Sequence, residues 1–113
     1  MIIIVMGVSG SGKSTIGRAL AKELGWPFYE GDDFHPKKNI EKMANGIALS
    51  DQDRAIWLSR LARLIGELAR NNQPAVITCS ALKQAYRAKL AGSSSDIRFV
   101  YLRGSYALIL ERM

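Results

Sequence analysis

Gly7-Val8-Ser9-Gly10-Ser11-Gly12-Lys13-Ser14 follows the apolar run Met1-Ile2-Ile3-Ile4-Val5-Met6 and leads into Thr15 to Leu24, where Ile16, Ala19, Leu20 and Leu24 recur at helical spacing. Every fixed position of G-x-x-x-x-G-K-[ST] is satisfied, the spacing of a phosphate-binding loop set between a strand and a helix. Glycines let successive backbone N–H groups turn inward onto phosphate oxygens, and the helix that follows adds the positive end of its dipole. The pattern assigns nucleotide phosphates to Gly7, Ser9, Gly10, Ser11, Gly12, Lys13, Ser14 and Thr15. Lys13 is placed to reach the outer phosphates and Ser14 to hold a magnesium ion. A glycine-rich turn without function would not need a buried-type strand before it and an amphipathic segment after it.

Outward from this loop the chain alternates strand and helix signals. Ile2 to Met6 is mostly β-branched and continuously apolar, as expected of a strand covered on both faces of a parallel sheet. Gly25 and Trp26-Pro27 stop the first helix, and Pro27 to Glu30 is a short second strand ending at Gly31-Asp32-Asp33. Pro36 suits the first turn of a helix through Ile40 and Met43 that ends at Asn45-Gly46. Its lysines, Lys37, Lys38 and Lys42, read as surface charge. Ser50-Asp51-Gln52-Asp53 has the form of a helix N-terminus, and Trp57, Leu58, Leu61, Leu64, Ile65 and Leu68 then make a long apolar stripe ending near Asn71. Ala75 to Cys79 is a third buried strand, Lys83 to Leu90 a helix, and Ile97 to Leu102 a fourth strand, with a last helix expected from Tyr106 through Met113. The expected fold is one α/β domain over residues 1–113: a three-layer parallel sheet with helices on both faces, whose strand-end loops gather on one edge.

The composition, 48% hydrophobic and 23% charged over 113 residues, is that of an ordinary globular domain. No apolar run is long enough to span a bilayer, and the N-terminal run lacks the basic leader of a signal peptide, so no membrane association and a cytoplasmic location are expected. The single cysteine, Cys79, sits in the apolar run Val76-Ile77-Thr78 and reads as a buried structural thiol. A net charge of +6 suits a polyanionic nucleotide as well as nucleic acid. With no basic-aromatic sheet motif or recognition-helix pattern, no nucleic-acid partner is expected.

Four strand ends carry the candidate chemistry: the phosphate loop, Gly31-Asp32-Asp33, Ser80-Ala81-Leu82-Lys83 and Arg103-Gly104. The third and fourth strands do not end in an acid, unlike the magnesium-organising strand of motor ATPases and GTPases. Glu30, Asp32 and Asp33 follow the second strand instead, where a small-molecule kinase needs a carboxylate beside the γ-phosphate. The blocks Gly31-Asp32-Asp33-Phe34-His35-Pro36 with Asn39 and Lys42-Met43, Leu49 to Arg54 with Trp57-Leu58, and Cys79-Ser80-Ala81-Leu82-Lys83 with Tyr86-Arg87, in this order after the phosphate loop, resemble the gluconokinase family. The similarity runs to about Arg112. It implies the fold of shikimate and nucleoside monophosphate kinases, ATP and Mg2+ as cofactors, and transfer of the γ-phosphoryl group to the 6-hydroxyl of D-gluconate.

The resemblance and charge logic together give the roles. Asp32 is the candidate catalytic base or hydroxyl-orienting group, acting with Lys13. Glu30 supports magnesium through water, where family members often carry the shorter Asp. Arg54 resembles the arginine that related kinases use to grip a substrate carboxylate, its planar fork permitting two hydrogen bonds; the alternative is a surface pair with Asp51. His35 either hydrogen-bonds a gluconate hydroxyl or caps the next helix. Lys83 and Arg87, four apart on one helix face, either aim at substrate or form a solvated basic face. Tyr86 and Trp57 read as packing residues. Kinases of this type continue past the position of Met113 with an arginine-bearing lid, a further strand and a helix. The 113 residues alone are accordingly expected to be a poor catalyst, with a sheet edge open to a second chain and so to a homodimer. Two other readings stay open: a same-fold kinase for shikimate or a nucleoside monophosphate, and an inactive nucleotide-binding module.

Overall fold

A computed structural model of the chain describes residues 1–7, 12–80, 84–92, 96–103 and 107–112. Its elements run β1 (Ile2–Met6), α1 (Lys13–Leu24), β2 (Phe28–Glu30), a 3₁₀ turn (Gly31–Phe34), α2 (Lys37–Ala44), α3 (Asp51–Arg70), β3 (Ala75–Cys79), α4 (Gln84–Ala91), β4 (Ile97–Arg103) and β5 (Ala107–Arg112). The strands form one sheet in the order β2-β3-β1-β4-β5. β1 lies between β3 and β4 with Ile4 opposite both Ile77 and Phe99, and β2, β3, β1 and β4 are mutually parallel.

Alternation along the strands divides the core into two layers. Ile2, Ile4 and Met6 pack with Ala75, Ile77, Cys79, Ile97 and Phe99 beneath the α3 stripe of Trp57, Leu58, Leu61, Ile65 and Leu68. Val5, Val76 and Leu102 face the other way, toward Ala21 of α1 and the half-buried Ile16, Leu20 and Phe28. Each fully buried large side chain of the α3 stripe contributes roughly 1.5–3 kcal/mol, so this helix is the main clamp on its face. Its start is as the sequence implied: the Ser50 hydroxyl accepts from the Asp53 N–H while the Asp53 carboxylate accepts from the Ser50 N–H, a complete capping box. Cys79 is buried within the α3 layer.

The C-terminal expectation needs correction. Ala107–Arg112 is a strand, antiparallel to β4, pairing Ala107 with Arg103 and Arg112 with Arg98; the expected start of a helix at Tyr106 lies outside the described residues. A short apolar run such as Ala-Leu-Ile-Leu carries no period that separates helix from strand. The outer edge of β4 would otherwise present an unpaired row of backbone groups, and pairing with β5 satisfies them. The sheet is therefore parallel over four strands with one antiparallel edge strand, and the edge beside β4 is filled by this chain itself. Among the described residues no helix is long and apolar enough to cross a membrane.

Candidate active site

The phosphate loop leaves β1 at the buried Gly7 and enters α1 at Gly12, whose φ of 85° lies in the left-handed region that glycine adopts without strain. Among the described residues no side chain caps α1 and its first turn holds no acid. The orphan N–H groups and the positive dipole end are thus left for an anion. Gly12, Lys13, Ser14 and Thr15 line an open pocket of about 230 Å³ at that helix end. Lys13 is buried, and its charge contributes to holding Glu30 ionised. Ser9, Gly10 and Ser11 lie outside the described residues.

Where β2 ends, three chain segments meet around one carboxylate. Glu30 Oε1 accepts from the Ser14 hydroxyl at 2.8 Å and from the Thr78 hydroxyl at 2.5 Å, and Oε2 lies 3.7 Å from Arg18 Nη2. Thr78 Oγ1 in turn accepts the Gly31 N–H at 3.1 Å. Burial opposes the charge on Glu30, but the hydrogen bonds from Thr78 and Ser14 and the charges of Arg18 and Lys13 outweigh it, holding the carboxyl below its usual range. Position 31 must be glycine for a packing reason: a Cβ there would stand 1.9 Å from the Thr78 carbonyl oxygen. The Glu30 and Ser14 oxygens are hard donors set side by side at the phosphate loop, the donor set that Mg2+ takes together with water and phosphate.

Beyond β2, the 3₁₀ turn carries Asp32 and Asp33 outward, both exposed, while Gly31 is buried. Trp57 Nε1 donates to the Gly31 carbonyl at 2.8 Å, fastening this turn to α3. His35 stacks on the same Trp57 with ring centroids 4.4 Å apart and planes 17° from parallel. Its Nδ1 lies 3.2 Å from Asn39 Nδ2 and its Nε2 lies 3.9 Å from Asp32 Oδ1. Burial lowers the proton affinity of His35 and the nearby Asp32 charge offsets only part of that, so the ring is neutral near pH 7. The expectation that its side chain might instead cap the next helix is corrected, because α2 has Pro36 at its cap position and no side-chain cap. Arg54 sits one helical turn before Trp57, with Nη1 3.7 Å from Asp51 Oδ1, the surface pair named above as the alternative. At that distance and exposure the pair is weak.

Lys83 is outside the described residues. Arg87 is half-buried, its guanidinium 5.4 Å from the Tyr101 ring centroid on β4, so it is not part of a solvated face. Tyr86 packs against the α3 layer, and its hydroxyl donates to Asp51 Oδ1 at 2.7 Å.

The reading of Lys42 as surface charge is corrected. Its Nζ reaches the buried Asp53 carboxylate at 2.8 Å, with Lys38 at 3.8 Å. The Lys42 hydrogen bond, and then that from the Ser50 N–H, hold Asp53 well below the usual carboxylate range against the cost of burial. Thr78, Asn39 and Asp53 were not singled out for the site. Asn39 and Asp53 entered only as members of the blocks that carry the family resemblance and, for Asp53, through the Ser-x-x-Asp cap spacing, whereas Thr78 left no signal of its own.

Comparison with known proteins agrees with this geometry. The shikimate kinase family model matches residues 9–113. A probable gluconokinase of Mus musculus is 43% identical over 99% of this chain and 70% of its own length. A thermosensitive gluconokinase of Escherichia coli is 49% identical over 97% of this chain and 59% of its own length. A crystal structure of a gluconokinase from Sinorhizobium meliloti superposes with a TM-score of 0.80 at 52% identity, covering 91% of this chain and 57% of that one. The chain thus spans between 57% and 70% of the length of these relatives. Four parallel strands in the same fold, the phosphate loop and nearly full coverage of this sequence lead to one conclusion: the chain belongs to the gluconokinase family of P-loop kinases.

Proposed function

We propose that the protein phosphorylates D-gluconate at its 6-hydroxyl with ATP, giving 6-phosphogluconate and ADP. In this reading the β- and γ-phosphates lie in the α1 pocket against Lys13 and the loop N–H groups. Ser14 and, through water, Glu30 would hold Mg2+, which would supply positive charge against the phosphates. Asp32 accepts the proton of the attacking hydroxyl or orients it; Arg54 grips the gluconate carboxylate; His35 contacts a hydroxyl; Lys83 and Arg87 complete the acceptor side. Positioning and charge stabilisation supply most of the acceleration in phosphoryl transfer, so these placements matter more than any covalent step. A cytoplasmic setting, where ATP and a reduced Cys79 coexist, follows from this reading.

The observation that carries it is the exposed Asp32 carboxylate on a turn rooted beside the phosphate loop: Glu30, just before the turn, accepts from the Ser14 hydroxyl, and Gly31 is tied to both Thr78 and Trp57. The test is product analysis with ATP, Mg2+ and a panel of D-gluconate, shikimate and AMP. Formation of 6-phosphogluconate with the other two acceptors inert supports the proposal. Phosphorylation of shikimate or AMP instead, or ATP hydrolysis indifferent to gluconate, would overturn it.

A further inference from the structure

The orientation of the Asn39 side chain decides the protonation of the histidine beside Asp32. Asn39 is fully buried, and its Nδ2 lies 3.0 Å from the main-chain carbonyl oxygen of Asp53 and 3.2 Å from His35 Nδ1. A carbonyl oxygen only accepts, so the atom facing it must be the NH2 group; the flipped amide would set two oxygens against each other at that distance. With one N–H spent on Asp53, the second points at His35 Nδ1. A protonated Nδ1 would oppose donor to donor, so Nδ1 must be the bare acceptor and the ring proton must sit on Nε2. Nε2 lies 3.9 Å from Asp32 Oδ1, too long for a direct hydrogen bond. An oxygen at hydrogen-bond distance from both would close that gap. Asn39 keeps this orientation although, among the described residues, its buried Oδ1 has no hydrogen-bond partner. An orphan acceptor is unfavourable, so the arrangement is maintained against a penalty.

We infer that Asn39 is a positioning residue: its amide locks His35 as the neutral Nε2–H tautomer, which presents a donor rather than a lone pair to the space beside Asp32. A polyol hydroxyl set between the two accepts from the imidazole and donates to the carboxylate, so its proton direction is fixed. Stacking on Trp57 holds the ring plane, and Asn39 sets which nitrogen carries the proton. This role for the hydroxyl rests on the acceptor reading proposed above, whereas the tautomer itself does not.

The chain has one histidine, so a histidine-specific ¹⁵N label reports a single imidazole. Long-range ¹H–¹⁵N correlation spectra, recorded above the titration of the ring, are expected to show the Nε2–H form in the wild type and in Asp32→Asn, and a mixture of tautomers in Asn39→Ala. A predominant Nδ1–H form in the wild type would overturn the inference, and this holds even if Asn39→Ala does not fold. So would a tautomer that changes in Asp32→Asn, or one that stays unchanged in a folded Asn39→Ala. Adding D-gluconate with MgADP separates the two proposals: an Nε2–H resonance that ignores gluconate would overturn the acceptor reading while upholding the tautomer.

Discussion

Under the proposed function the strand ends divide into a nucleotide edge, the phosphate loop after β1, and an acceptor edge, the turn after β2 with α2 and α3, and the two are built in different ways. On the nucleotide side the proposed ligand groups come from one contiguous octapeptide and the start of one helix, whose first turn holds no acid and, among the described residues, no side-chain cap. The acceptor edge is assembled from the 3₁₀ turn, α2 and α3, which converge through a chain of buried polar contacts: Trp57 to Gly31, His35 to Trp57 and Asn39, Asn39 to Asp53, and Asp53 to Lys42. A loop of backbone donors can bind any phosphate, whereas the position of Asp32 depends on packing between elements far apart in sequence. Stability and acceptor recognition should therefore be linked at one edge and nearly independent at the other.

Gly31→Ala should break the acceptor edge most severely. The new Cβ would meet a backbone oxygen at 1.9 Å, which a side-chain rotation cannot relieve. A loss of about 3 kcal/mol or more is expected in urea unfolding, or failure to fold. Thr78→Val keeps the shape but strands the buried Gly31 N–H and removes a donor from Glu30. About 1–3 kcal/mol should be lost in the same assay, and the Mg2+ dependence of ADP binding should weaken.

The pH dependence of His35 is a subtler probe. Because burial lowers its proton affinity from the ordinary 6.5, the unfolded chain takes up the proton first as pH falls. Stability should rise with pH from the folded value up to about 6.5 and flatten above it. His35→Gln should remove that slope, and an unchanged slope would show that this ring is not the group responsible. At the nucleotide edge, Lys13→Ala should move the unfolding midpoint least, by about 1 kcal/mol at most, because in this account the buried ammonium serves the ligand and acts on the fold through its charge near Glu30. The same variant should weaken MgADP binding at least about tenfold by calorimetry. A large loss of stability there would erase the contrast between the edges.

That contrast also explains what could be read from the sequence. β1, the phosphate loop, α1 and α3 were legible because each is a local pattern: a continuous apolar run, fixed glycines, a 3.6-residue stripe, a capping pair. The exposed acids at the end of β2 were legible as candidates because a strand end leaves little else for them to do. Lys42 was misread because its partner Asp53 lies eleven positions away on another helix. His35 could not be decided because Trp57 and Asn39, which fix it, are brought to it by tertiary packing. β5 was taken for a helix because pairing with the β4 edge, a contact local sequence cannot encode, decides between two conformations its residues both allow.

The central claim is that an acceptor polyol acid binds between the 3₁₀ turn and the first turn of α3. Tryptophan fluorescence tests it most directly, since Trp57 touches both His35 and Gly31. Titrating D-gluconate in the presence of MgADP should give a saturable change in the wild type, weakened at least about tenfold in Arg54→Ala, with shikimate inert at the same concentrations. A response to shikimate equal to that for gluconate, or a gluconate response that Arg54→Ala leaves intact, would contradict the account.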